Sequence, residues 1–329
     1  MVKQLPSVAL KSGEEARIYL ITAPEPEWEQ RLVSRLEHKG ELWTRVMSQA
    51  LREGLPDLTM RFYQMRLDDR AVGNITTAQS LEPPVAMLQH VFTDPDHRRK
   101  GICDHLMSLV MQDFGAEQGR AMYLGTGYQS VAFRIYESFG FKPIGQTGSM
   151  VWVHDPNYPD DFFVPGPVRV RFAQWRDWPL LTALYQVQSG WDLRGYLLGQ
   201  FGHSSYEGTY CRLREWMEAD TAQQVTVLEC LETGAVVGHA FIARDEKWPH
   251  GPHVLELFVH PLFLKHTAEL VGAIDLPRET KLQAYCDGAA KDRAEVLQGL
   301  GFSLEATLPL QYRTKAGPPT DVHIYALMP

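Results

Sequence analysis

Between His90 and Cys103 the chain reads His-Val-Phe-Thr-Asp-Pro-Asp-His-Arg-Arg-Lys-Gly-Ile-Cys. An apolar strand over Val85–Thr93 runs into a proline turn, then into Arg98, Arg99, Lys100 and Gly101. A helix follows, with apolar residues at Ile102, Leu106, Leu109, Val110 and Phe114. This order sets a basic loop against the free N–H groups of a helix start. Unpaired amides, the positive end of the helix dipole and cationic side chains then all favour a phosphate. Gly101 lets the backbone approach such a ligand with no Cβ in the way. Cys103, at a helix N-terminus where a thiol pKa can fall, has a nucleophile reading and a small packing-residue reading. No pattern supplies a His or Asp to serve it, which favours packing.

The elements that must hold this loop follow from apolar periodicity. Arg17–Thr22 reads as a strand, and Glu27–His38 and Glu41–Arg52 as helices. Thr59–Leu67 and Ala71–Gln79 form a strand pair joined at Asp68-Asp69-Arg70. After the basic loop the helix runs to about Gly115. Arg120–Gly125 is a strand, Gln129–Phe139 a helix stopped by Gly140, and Phe141–Val153 two more strands. His154–Pro167, with four prolines, reads as a linker.

The second half repeats this order. Val168–Phe172 opens it and Trp178–Phe201 supplies helical material. Val225–Leu231 pairs with Ala235–Ala243, and Val254–Pro261 echoes the strand before the basic loop. Phe263–Ile274, Lys281–Cys286 and Ala289–Leu300 complete the series. Pro261 follows Pro95 by 166 residues and Phe302 follows Phe141 by 161, so the register holds. A repeat this long means a duplicated domain. The expected fold class is α/β, two tandem twisted mixed sheets flanked by helices. The expected domains are 1–153, a linker at 154–167, and 168–329. Trp191–Trp216, rich in aromatics and glycines, reads as an insertion: an acceptor-binding wall or core aromatics on a helix pair.

With 329 residues there is room for two cores of about 150 residues. A net charge of −8 argues against a nucleic-acid surface. Cys103, Cys211, Cys230 and Cys286 show neither CxxC spacing nor a neighbouring His ligand pattern, so no disulfide framework and no metal is expected. The start of the sequence lacks a charged-then-apolar leader, and no apolar run approaches the ~18 residues of a membrane span. The expectation is a cytoplasmic protein without membrane contact.

Arg98-Arg99-Lys100-Gly101-Ile102-Cys103 resembles the pyrophosphate loop of the GNAT N-acetyltransferase superfamily, Arg/Gln-x-x-Gly-x-Gly/Ala, with Cys103 at the final small position. A second stretch, Ala132-Phe133-Arg134-Ile135-Tyr136-Glu137-Ser138-Phe139-Gly140-Phe141, resembles that family's Ala-x-x-x-Tyr-x-x-x-Gly-Phe helix. Relatives often carry Asn seven residues before the tyrosine; here Gln129 stands there. The resemblance implies the GNAT fold in both halves and acetyl-CoA as donor in the first. It implies a donor site made by Val91, Phe92, Thr93, Arg98, Arg99, Lys100, Gly101, Ile102, Cys103, Gln129 and Phe133. The pantetheine arm would pair with the backbone of Val91 and Thr93. One of those amides could also support the oxyanion.

On the same resemblance Tyr136 is the candidate general acid for the departing thiolate. A phenol with an ordinary pKa near ~10 keeps its proton at neutral pH; the competing reading is a buried structural tyrosine. The general base is open. Met87, Leu88 and Gln89 place no carboxylate on the strand, and His90 is the candidate by pKa, unless strand alternation turns it away. Glu82, His38 and a water chain are further options. In the second half Leu264, Lys265 and Thr267 replace Arg98, Arg99 and Gly101, and Leu297 replaces Tyr136, so that half is expected to keep the fold without binding CoA. The reading is an acyl-CoA-dependent N-acyltransferase for a small amine, monomeric or homodimeric. The alternative is a non-catalytic acyl-CoA-binding or regulatory protein.

Overall fold

The computed structural model describes residues 1–219, 222–313 and 317–329. Its first sheet holds β1 (Val2–Ala9), β2 (Glu15–Thr22), β3 (Leu58–Leu67), β4 (Arg70–Ser80), β5 (Val85–Thr93), β6 (Ala121–Gly125), β7 (Lys142–Pro143) and β8 (Ser149–Val153). The spatial order is β1-β2-β3-β4-β5-β6-β8-β7. Pairing is antiparallel from β1 to β5, and β6 joins β5 in parallel.

Helices α1 (Glu29–Val33) and α2 (Glu41–Glu53) precede β3; α3 (Ile102–Ala116) follows β5, and α4 (Val131–Ser138) follows β6. Along β3, Tyr63 and Met65 share a core with Ile102, Leu106, Val110 and Phe114, so α3 covers that face. The alternate residue Phe62 points to the opposite face, where it meets Leu32 and Leu36. α3 lies close on the sheet because Gly73 of β4 presents no side chain. A Cβ there would stand 2.4 Å from Ile102 Cγ2.

The second sheet holds β9 (Val168–Phe172), β12 (Ala222–Cys230), β13 (Val236–Arg244), β14 (His253–Val259), β15 (Leu282–Asp287), β16 (Ser303–Arg313) and β17 (Pro319–Leu327). Read from β9, its order is β9-β12-β13-β14-β15-β17-β16. That is the order β2-β3-β4-β5-β6-β8-β7 again, with one parallel pair at β14–β15 in place of β5–β6. The chain carries the same mixed sheet twice. A separate hairpin joins β10 (Leu193–Gly195) to β11 (Gln200–Phe201). The helices are α5 (Tyr158–Phe162), α6 (Asp177–Leu184), α7 (Glu207–Glu218), α8 (Thr267–Gly272) and α9 (Lys291–Gly299).

Several sequence expectations change. β1 was not foreseen: its burial is mostly exposed, so no apolar stripe marks it. Within His154–Pro167, α5 buries Tyr158 and Phe162, and Phe163 is buried beside it, so the stretch is more than a linker. Helix stops at Leu184 instead of running to Phe201, with Gly190, Gly199 and Gly202 all at positive φ. Trp191, Tyr206 and Tyr210 of the aromatic stretch are fully buried. The chain forms two compact units. One is Met1–Lys142 with Met150–Tyr158 and Gln174–Pro179; the other is Pro143–Ser149 with Pro159–Ala173 and Leu180–Pro329.

Candidate functional site

The loop after β5 is shaped by its own acid. Asp94 Oδ1 accepts from the Asp96 amide at 3.1 Å and faces His97 Nδ1 at 3.2 Å, and Asp94 Oδ2 holds Arg70 at 2.7 Å. Pro95–His97 makes a 3-10 turn, after which Arg99 takes φ +64° and Gly101 φ +88°. Arg98 before them is extended, so the two left-handed residues turn the chain sharply into α3. Gly101 then caps α3, whose first-turn amides have no intrahelical acceptor. Arg98 and Arg99 are exposed; Lys100 bonds Glu14 at 2.7 Å. Ile102 is buried under the loop. Cys103 is half-buried, and burial pushes its thiol up to about 11. A thiol so held stays protonated near neutral pH, which suits packing and not nucleophilic attack.

β5 and β6 pair only from Val85–Ala121 to Met87–Tyr123, and beyond that they diverge. The edge of β5 from Leu88 to Thr93, including Val91 and Thr93, is thus unpaired on the β6 side. On the β4 side there is a bulge. Asn74 faces Phe92 and Thr76 faces Gln89, so Ile75 alone opposes His90 and Val91. His90 takes φ +51°, and its carbonyl accepts from Asn74 Nδ2 at 3.2 Å.

The bulge turns the His90 ring toward the α1 face. Lys39 Nζ sits 2.9 Å from His90 Nδ1, and the Trp43 ring meets the imidazole edge-on at 4.9 Å. An ammonium only donates, so Nδ1 accepts and the ring proton sits on Nε2. That Nε2 is buried and has no partner among the described residues. Burial first, then the Lys39 and His38 charges, push the His90 pKa down to about 3. The ring is therefore neutral at physiological pH, with its basic lone pair already engaged.

Behind the loop, Ser130 caps α4 by accepting from the Phe133 amide at 3.2 Å. Gln129, at φ +57°, is exposed just ahead of the cap. Phe133 and Tyr136 both face the core, with Phe133 packed on Tyr128 and Tyr136 on Phe141. Phe92 is partly exposed, with the Arg35 guanidinium over its ring at 5.5 Å.

A cleft open to solvent lies on the α1 face, against the bulge. Leu32, Leu36 and Phe62 make its apolar wall; Arg35, Lys39, Asn74 and His90 make its polar one. His38, weighed only as a distant base from the sequence, stands on its rim. Glu82 is exposed and outside this lining. Neither Arg35 nor Lys39 was singled out from the sequence; their spacing of four, on one side of a helical stretch, was the available signal.

The second sheet lacks the bulge: β13 and β14 pair without interruption from Gly238–Val259 to Arg244–His253. Glu256, not a histidine, takes the place of His90 in the 166-residue register that relates Pro95 to Pro261. The following turn has no left-handed residue. Thr267 enters α8 at φ −64°, fully buried, and its hydroxyl donates to the Leu264 carbonyl. The diverging ends of β14 and β15 are bridged by the chain's own backbone. Leu193 N–H donates to Asp287 at 2.9 Å, Tyr196 and Leu197 amides donate to Glu256, and Tyr196 stacks on Tyr285 at 3.7 Å.

The family model of the acetyltransferase (GNAT) domain matches residues 27–158. Those residues are a GNAT domain. Two human proteins, N-acetyltransferase 8 and N-acetyltransferase 8B, are each 31% identical to the chain over 124 residues, covering 33% of it and 54% of their own length. The chain thus spans about half the length of the curated relatives it matches. Solved structures similar to it include a ribosomal-protein-alanine N-acetyltransferase from Brucella melitensis (21% identity, 49% of this chain, 99% of that one, TM-score 0.39). Another is a GNAT superfamily phosphinothricin acetyltransferase from Sinorhizobium meliloti in complex with acetyl-CoA (17% identity, 49% and 87%, TM-score 0.38). Among the described residues no group of three His, Cys, Asp or Glu side chains is gathered to hold a metal around the GNAT domain or elsewhere. No described helix is long and apolar enough to cross a membrane.

Proposed function

We propose that the chain is an N-acyltransferase that uses acetyl-CoA to acylate the amine of a small molecule. The GNAT domain (1–153 in this proposal) binds the donor, and 168–329, after the 154–167 segment, forms a second domain that does not. The observation that carries this is the loop from Arg98 to Cys103, which sets the left-handed Arg99 and Gly101 and two exposed arginines at the start of α3, beside the open edge of β5. In this reading the diphosphate rests on Arg98–Cys103 and the pantetheine arm runs along Val91–Thr93, with Gln129 and Phe133 flanking it. Gly101 takes the left-handed conformation at the head of α3, with the Lys11 and His105 side chains 3.7 Å from where a Cβ would stand.

The amine nitrogen attacks the thioester carbonyl, a C–N bond forms, and the carbonyl π pair moves to oxygen. A β5 amide steadies that oxyanion. As the tetrahedral centre collapses, the C–S bond breaks and the Tyr136 hydroxyl gives its proton to sulfur. The amine's surplus proton leaves through water at the cleft. His90 acts there as a neutral donor, since its lone pair is held by Lys39. Holding amine and thioester side by side supplies much of the remaining acceleration.

Tyr136→Phe tests this. Thiol release from acetyl-CoA with a responsive amine is expected to slow roughly 100-fold, the scale of one general acid, with acetyl-CoA affinity retained. Release at the wild-type rate refutes the acid role. The absence of a carboxylate on β5 favours a second reading, acyl-CoA binding without turnover. It predicts acetyl-CoA binding with no thiol release across an amine panel.

A further inference from the structure

The cleft against the bulge has a polarity that constrains its occupant. We propose that the amine substrate carries a carboxylate close to its amino group, and that Arg35, Lys39 and the His90 Nε2–H bind that carboxylate. This rests on the acyltransfer reading of the same site and names the acceptor it selects.

Two buried polar atoms in the lining have no partner among the described residues, and they are complementary. Asn74 Oδ1 is an acceptor without a donor, and His90 Nε2–H is a donor without an acceptor. Both side chains are 7% exposed, so water does not readily replace a partner. An amine N–H satisfies the first and a carboxylate oxygen the second. Two atoms on one wall thus ask for both functions in one small molecule.

The charges agree. Arg35 donates to the Ala71 carbonyl at 2.7 Å through one nitrogen and lies over the Phe92 ring, with no ion-pair partner among the described residues. Lys39 uses one of three protons on His90. Arg66 adds to the positive field at Arg35, and the Asp94 carboxylate offsets part of it ahead of the smaller addition from Arg70. No carboxylate is among the described residues lining the cleft, in a chain whose net charge is −8. A bare ammonium entering between these cations is repelled; one that brings its own carboxylate is not. The same field disfavours protonation of the amine and so supplies the free base that attack requires. Leu32, Leu36 and Phe62 give the cleft an apolar wall against which a side chain of the acceptor would pack.

The experiment compares matched acceptors with the full chain and acetyl-CoA, following thiol release: leucine, leucinamide and 3-methylbutylamine, and the phenylalanine set likewise. The carboxylate-bearing member is expected to show kcat/KM about tenfold or more above its amide and its decarboxylated amine, the scale of a charge-assisted hydrogen bond. Arg35→Met and Lys39→Met are expected to bring that ratio toward one, with calorimetric acetyl-CoA binding confirming that each variant is folded. Neutral amines reacting as well as the acids, or a ratio untouched by both substitutions, overturns the inference while acyltransfer stands. Acetyl-CoA binding with no release from any member overturns both.

Discussion

Gly73→Ala should loosen acetyl-CoA by moving a helix that the substitution does not belong to. A Cβ at position 73 would lie 2.4 Å from Ile102 Cγ2 and 3.1 Å from Leu106 Cδ1. Ordinary carbon contacts are about 3.5–4.0 Å, so Ile102 must retreat by roughly 1 Å. A β-branched residue in a helix has few rotamers to escape through, so the first turn of α3 moves with it. That turn supplies the amides proposed to hold the diphosphate. A hydrogen bond of about 2.9 Å lengthened by 1 Å is lost. Losing one or two such bonds, at about 1 kcal/mol each, raises Kd roughly five- to thirtyfold, on top of an overpacking cost of about 1–3 kcal/mol in stability. The second sheet provides the control. A Cβ at Gly238 would stand 3.0 Å from Leu228 Cβ and 3.1 Å from Leu270 Cδ2. Gly238→Ala should therefore cost stability and leave acetyl-CoA affinity within about twofold, inside the spread of a neutral change. Calorimetric titration of both variants decides it. Equal Kd for Gly73→Ala and wild type, or an equal loss in both variants, refutes the placement of the diphosphate on α3.

Replacing Arg98 and Arg99 together by Ala should weaken acetyl-CoA binding by about tenfold or more and flatten its salt dependence, measured by titration at low and high ionic strength. His90 gives an acid limb to stability. Its folded pKa near 3 lies below the unfolded value of about 6.5, so stability is complete above ~6.5 and falls as pH drops toward 3. Relative to His90→Leu, wild type should lose about 2 kcal/mol between pH 7.5 and 5 in denaturant titrations, and a constant difference would contradict the buried neutral ring. Cys103, with its thiol pushed up to about 11, should react with iodoacetamide at pH 7.5 about 100-fold more slowly than an unstructured cysteine; equal rates would show the thiol is not held as described.

The loop and both sheets were legible because their signals are local. Arg98 to Cys103 are contiguous, Gly101 marks its own φ, and apolar runs such as Val85–Leu88 and Val254–Val259 announce central strands. The repeat order was equally readable, since the same spacing of strands and helices recurs. The cleft proposed for the acceptor was not, because its parts meet only in three dimensions. Lys39 and His90 are fifty-one residues apart in sequence. The bulge depends on how many residues of β4 face those of β5, which is set by pairing and leaves no local mark. His90 could be named as a histidine at the right place, but not as one whose lone pair is occupied. The hairpin of β10 and β11 did carry a signal, the glycines at 190, 195, 199 and 202, and helical periodicity around Trp178 masked it.

That hairpin segment has a further consequence for the second sheet. Because Leu193, Tyr196 and Leu197 spend their backbone donors on Asp287 and Glu256, the opening in which a thioester arm would lie is already satisfied from within. Rebuilding an arginine-glycine turn at Leu264–Thr267 would give a phosphate somewhere to rest but leave Leu193–Leu197 tied across the ends of β14 and β15. Recovering a second donor site would require excising a whole segment and re-housing two stranded acids. On the proposed reading, the second unit is sealed by its own chain where the first stays open.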